Sequence, residues 1–290
     1  MRRQPVKKKT RYEFSKMQGI GNDYVYINAQ EQKVSDPAAL ARLVSDRHFG
    51  IGSDGLVLIL PSNTADFMMD MYNSDGSRSG MCGNAIRCVA KYVYERGLTE
   101  KTTLAIETLS GVKTLELTVA DGVVASVKVN MGKPILEPAL VPVRWNGSLM
   151  VDQAIPVAGR LFKVTCLSMG NPHAVTFIKD INDLDLLQLG PSFENYSIFP
   201  ERTNTEFVQV IDRQNLRMRV WERGSGETLA CGTGACATVV AGVLTDRCDR
   251  QVTVHLNGGD LQIEWNEATD EVLMTGPAAF VFDGWIEVDD

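Results

Sequence analysis

Two cysteines in this chain stand in matching surroundings. Cys82, in "SGMCGNAIRCVAKYV" (79–93), and Cys231, in "GETLACGTGACATVV" (226–240), each follow small residues and precede a glycine, a small polar residue and an apolar run. A helix starting just after each cysteine would turn unpaired backbone N–H groups and the positive end of its macrodipole toward the sulfur, which favours the thiolate. Cys82-Gly83-Asn84 and Cys231-Gly232-Thr233 therefore each combine a thiol with amide donors suited to a carboxylate or a developing oxyanion. Two such units facing one cleft would place a sulfur on either side of a substrate. Inversion of a carbon centre needs that arrangement: one group takes a proton from one face and another supplies a proton to the opposite face.

The elements that would carry the cysteines repeat along the chain. Cys82 and Cys231 are 149 residues apart, and so are Asn22 in "GIGNDY" and Asn171 in "SMGNPH", and Asn73 in "MYNSDG" and Glu222 in "VWERGS". In the same register Gly55 falls opposite Asn204. A duplicated unit predicts two related domains facing each other, with a small-molecule site in the cleft between them. The Pro-rich segment 132–143 reads as the crossing between them.

The pattern predicts many short strands and few helices. "YVYINA", "LVLIL", "FMMDMY", "VKTLELTV", "VVASVKVNM", "AVTFI", "EFVQVI", "LRMRVWE", "VTVHL", "LQIEW" and "AFVFDGWIEV" are β-branched, aromatic and often alternating, which predicts mostly antiparallel sheet. Asp121-Gly122 predicts a two-residue hairpin turn, and Asn257-Gly258-Gly259 a slightly longer one. One helix is marked by Ile86, Val89, Ala90, Val93 and Tyr94, with Gly97 to stop it. The other, Ala235 to Leu244, is apolar on nearly every side and predicts burial all round.

Composition sets the outer limits. A chain of 290 residues, 44% hydrophobic and 22% charged, reads as a globular protein of one large or two ordinary domains. A net charge of −7 argues against a nucleic-acid partner, although six of the first eleven residues are Lys or Arg. No apolar stretch of secretory type follows that basic segment, and no run reaches membrane-spanning length, so the expected compartment is the cytoplasm. Six cysteines are too few for a disulfide scaffold at this length.

The motifs "GIGNDY", "NSDGSRSGMCGNAIRC", "SMGNPH", "ERTN" and "WERGSGETLACGTGA", in that order, resemble the diaminopimelate epimerase family over nearly the whole chain. The resemblance implies an α+β fold of two pseudo-symmetric halves, each a mostly antiparallel, barrel-like sheet around a central helix, with the last strand returning to the first half, which divides the chain into 1–129 with 275–290, and 130–274. It implies a cofactor-independent, metal-free enzyme, a homodimer, that interconverts L,L- and meso-diaminopimelate on the route to lysine and peptidoglycan. Carried over by position, Cys82 and Cys231 become the acid/base pair. Gly83, Asn84, Gly232 and Thr233 would bind the α-carboxylate through their amides. Asn22, Asn73, Asn171, Asn204, Glu222 and Arg223 would hold the ammonium groups and the distal carboxylate, and His173 and Glu222 would set which thiol is ionised. The chain departs from the family in two places. It has Ser53-Asp54-Gly55 where many members have Phe-Asp-Gln, and Ala85 where a glycine often follows the first Cys-Gly-Asn.

Plainer readings stand beside these. Cys88, Cys166, Cys236 and Cys248 read as small buried hydrophobes. His173 reads equally as a satisfied histidine in a strand-edge turn, and Asn73, before Ser-Asp-Gly, as a turn former. Cys82/Cys88 and Cys231/Cys236 are six and five apart, which points their sulfurs to different helix faces and argues against zinc. "GTGACA" fits a dinucleotide fingerprint in letters alone, because an acidic loop precedes it in place of a strand. The residues by themselves reach a small zwitterion inverted between two thiols. A proline or hydroxyproline racemase-like isomerase, and a non-enzymatic amino-acid binding module with no need of two thiols, remain the alternatives.

Overall fold

The computed structural model describes residues 9–289; part of the basic segment, Arg2, Arg3, Lys7 and Lys8, lies outside them. The first half runs β1 (Lys9–Gly19), β2 (Asn22–Asn28), α1 (Pro37–Ser45), β3 (Gly55–Leu60), β4 (Phe67–Asn73), β5 (Arg78–Ser79), α2 (Gly83–Glu95), β6 (Thr103–Thr108), β7 (Gly111–Ala120) and β8 (Val123–Gly132). The second runs β9 (Gln153–Val157), β10 (Arg160–Ser168), β11 (Pro172–Phe177), α3 (Leu186–Glu194), β12 (Asn204–Asp212), β13 (Asn215–Glu222), β14 (Gly226–Thr228), α4 (Gly232–Leu244), β15 (Gln251–Leu256), β16 (Gly259–Trp265) and β17 (Val272–Gly276), after which β18 (Ala279–Asp289) returns to the first.

The 149-residue register holds for whole elements. It carries α1 onto α3 and α2 onto α4 end to end, and the first residue of β3 onto that of β12. The parallel pairs β2–β3 and β4–β6 recur as β11–β12 and β13–β15, and the antiparallel neighbours around them recur likewise. The edges break the repeat: β18 pairs along β1, where β9 occupies the matching place beside β10. β8 pairs antiparallel with β17, its own counterpart, so one sheet continues from half to half. The result is a mixed α+β fold in which each central helix is wrapped by the strands of its own half.

Local chemistry accounts for the elements. Asp121 and Gly122 both take positive φ between the paired Ala120 and Val123, the conformation a two-residue hairpin requires. The second turn is tighter than Asn257-Gly258-Gly259 suggests, since Leu256 pairs with Gly259 and only two residues lie between them. α4 is buried along nearly its whole length, as its sequence implies. α2 adds Ile86, Val89, Ala90 and Val93 to the same core, which extends through β8 and β17. Smaller cores lie under α1, around Leu40, Val44, Val25 and Leu56, and under α3, around Phe162, Phe193 and Phe207. Among the described residues no helix is long and apolar enough to cross a membrane.

Candidate active site

Each cysteine is the N-cap of its helix. Cys82 (φ −133°, ψ 121°) and Cys231 (φ −125°, ψ 110°) are extended, and their carbonyls accept the first helical bonds, from Ile86 at 3.0 Å and Ala235 at 2.9 Å. The helix starts converge over Met274 of β17. A Cβ at Gly83 would come within 2.7 Å of the Met274 methyl carbon, and one at Gly232 within 3.0 Å of its sulfur, so glycine at both positions permits the approach. Nδ2 of Asn84 reaches across to the carbonyl of Ala230 at 3.4 Å. Arg87, fully buried in the second turn of α2, braces this junction by donating to Asn84 Oδ1 at 3.0 Å and to the carbonyls of Gly83 and Pro277 at 3.1 Å.

A cleft of about 1400 Å³ opens above the junction, and every site residue expected from sequence lines it except His173. Cys82 hydrogen-bonds Asn22 Oδ1 at 3.3 Å, and Asn22 is held by Asp54 at 2.8 Å, which Arg47 holds in turn at 3.0 Å. Cys231 accepts the Gly234 N–H at 3.4 Å and lies beside the Thr233 hydroxyl at 3.5 Å. Glu222 accepts from Thr228, and Asn204 accepts the Arg223 N–H at 2.9 Å. The Arg223 guanidinium donates to the Glu201 carbonyl at 2.9 Å and has no carboxylate partner among the described residues. Asn73 uses Nδ2 on Ser77 within its own turn at 2.9 Å, which leaves Oδ1 for the cleft. His173 is buried behind Asn171, with Nε2 2.9 Å from Asn171 Oδ1 and Nδ1 2.6 Å from Glu206 Oε1.

The electrostatics correct the expectation drawn from helix ends alone. Burial raises Cys82 above the ordinary thiol range, opposed by the amides of Ala85 and Asn84. Burial raises Cys231 well above that range, reinforced by the carboxylates of Glu222 and Glu206. Burial also raises Glu222. At both sulfurs desolvation therefore outweighs the lowering by the backbone N–H groups of the helix starts.

Gly55 carries no side chain because none fits: a Cβ there would lie 2.1 Å from the Tyr72 carbonyl oxygen. Sequence reasoning missed Asp54, Arg87 and Glu206. For Glu206 the signal was present, since a charged residue two positions after Asn204 on a buried strand shares that residue's face. Lys113 and Lys133 also line the cleft, outside the two cysteine loops. Among the described residues no group of three or more His, Cys, Asp or Glu side chains is placed to hold a metal ion.

A family model described as diaminopimelate epimerase matches residues 14–137 and 165–281. A diaminopimelate epimerase of Acetivibrio thermocellus is 57% identical over 277 residues, spanning 96% of this chain and 99% of that one. One of Methanococcus maripaludis is 54% identical over 275 residues, spanning 95% and 99%. Among solved structures, a probable proline racemase from Agrobacterium radiobacter with bound carbonate superposes with a TM-score of 0.70 at 16% identity, over 94% of this chain and 92% of that one. A hydroxyproline epimerase from Agrobacterium vitis with bound trans-4-hydroxy-L-proline superposes with a TM-score of 0.67 at 15% identity, over 98% and 95%. At such identities the structural likeness speaks for the fold alone.

Proposed function

The chain belongs to the diaminopimelate epimerase family, and we propose that it interconverts L,L- and meso-diaminopimelate between Cys82 and Cys231, without a cofactor. One observation carries the reading: two cysteines at the N-caps of repeat-related helices line a single cleft. A thiolate on one side removes the α-proton, and the thiol on the other delivers its proton to the opposite face of the carbanion. The reacting amino acid's carboxylate is held by the amides of Gly83, Asn84, Gly232 and Thr233, where two helix dipoles offset the charge that develops at the α-carbon.

The rest of the cleft suits a second amino-acid group. Asn22, Asn73, Asn171, Asn204, Glu222 and Arg223 supply more polar groups than one carboxylate and one ammonium require, and Arg223, with no carboxylate partner among the described residues, suits a distal carboxylate. His173 orients Asn171 from behind. We assign the reaction to the supply of lysine and peptidoglycan precursors in the cytoplasm, by a homodimer whose subunits divide into 1–129 with 275–290, and 130–274. Incubation with L,L-diaminopimelate, lysine and proline in deuterium oxide tests this. Diaminopimelate should gain α-deuterium fastest, because lysine and proline leave buried polar groups unpaired. Faster exchange into proline would transfer the assignment to a proline racemase-like enzyme.

A further inference from the structure

The layer behind Cys231 holds a carboxylate that the two-thiol scheme does not use. Glu206 on β12 is fully buried; its Oε1 is 2.6 Å from Nδ1 of His173, also fully buried, and its Oε2 has no hydrogen-bond partner among the described residues. On the other side Oε1 abuts the first turn of α4. A Cβ at Gly234 would lie 2.7 Å from Oε1 and 3.3 Å from the Cys231 sulfur, the same sulfur that accepts the Gly234 N–H. A single glycine thus separates the carboxylate from the thiol. At the equivalent positions 149 residues earlier, His173, Glu206 and Gly234 become Tyr24, Val57 and Ala85. No carboxylate backs Cys82 from that strand, and Arg87 is buried in its helix instead.

A negative charge this close to a thiol in a dry site opposes ionisation of the thiol. We propose that Glu206 makes the two thiols unequal: wedged between the His173 ring and the first turn of α4, it is a positioning residue that keeps the proton on Cys231 and leaves Cys82 to ionise first. The titratable groups facing it are His173 on β11, Cys166 on β10, Glu222 on β13 and Cys231 on α4. The inference rests on the reading of Cys82 and Cys231 as a reacting pair. It implies that the free enzyme is poised for the direction in which Cys82 takes the α-proton and Cys231 gives one up. Turnover in that direction leaves Cys82 as thiol and Cys231 as thiolate, and proton exchange with water restores the starting form.

The test is iodoacetamide alkylation across a pH series, with each cysteine followed separately by mass spectrometry. The midpoint of each rate profile reports ionisation, whereas its plateau reports access, so a merely structural role for Glu206 would not move the midpoint. In the wild-type protein Cys82 should reach its midpoint at lower pH than Cys231. In Glu206→Gln the Cys231 midpoint should fall, raising its alkylation at a fixed pH below the midpoint about tenfold or more, while the Cys82 midpoint stays. The double variant His173→Gln/Glu206→Gln, whose two amides can bond each other, serves if the single variant does not fold. Cys231 ionising first in the wild type, or keeping its midpoint in the folded variants, overturns the proposal. The readout needs no substrate, so failure of the epimerase assignment would show separately, as absent deuterium exchange into diaminopimelate beside an unaltered order of midpoints.

Discussion

The two halves share a backbone plan and differ in what lies behind the sulfur at the helix start. Cys82 is partly exposed, hydrogen-bonds Asn22 and has buried Arg87 in the helix it caps. Cys231 is buried, accepts an amide from Gly234 and faces Glu222 and Glu206. Duplication supplied two equal helix starts, and substitution beneath them made their electrostatics unequal. A base and an acid can therefore be drawn from the same residue type, because environment decides which form each adopts.

The largest effect should come from removing either member of the pair. Cys82→Ala and Cys231→Ala should each abolish inversion, and the serine variants should be slower by orders of magnitude, since an alkoxide is far less accessible than a thiolate at neutral pH. Wild-type turnover by either alanine variant, measured by circular dichroism of the product, would remove that half from the mechanism. The pH profile of kcat/KM sharpens the comparison next. Burial raises both thiols, so the ionised form appears at higher pH than in an ordinary thiol, and the rate should climb with pH through neutrality. The slope should approach about tenfold per pH unit on the acid side. A plateau already reached in mildly acidic solution would mean that the helix dipoles win after all.

The smallest effects come from exchanging one matched pair of residues. Gly234→Ala drives a methyl group against Glu206 and should cost about 2 kcal/mol in urea unfolding. Ala85→Gly, at the equivalent position of the other helix, should cost about 1 kcal/mol or less. Equal costs would mean that Glu206 does not shape the start of α4.

Beyond the asparagines, Glu222 and Arg223 that the family resemblance placed in the cleft, sequence alone determined the repeat, both helix starts at the cysteines and the burial of α4. These depend on residue type and spacing, which the 149-residue register preserves. It did not reveal α1 and α3, nine residues each, although Asp36-Pro37 is a cap signal and Asp185 caps α3; Pro191 inside α3 reads as a breaker. Nor did it reveal β1 or β10, where charged residues alternate with the buried ones. Only the tertiary structure decided that Gly55 has no room for a side chain, that His173 lies behind the cleft and not in it, and that both thiols are raised. Those outcomes turn on which strand presses against which helix turn and how much water is left there, and contacts between residues far apart in the chain decide both.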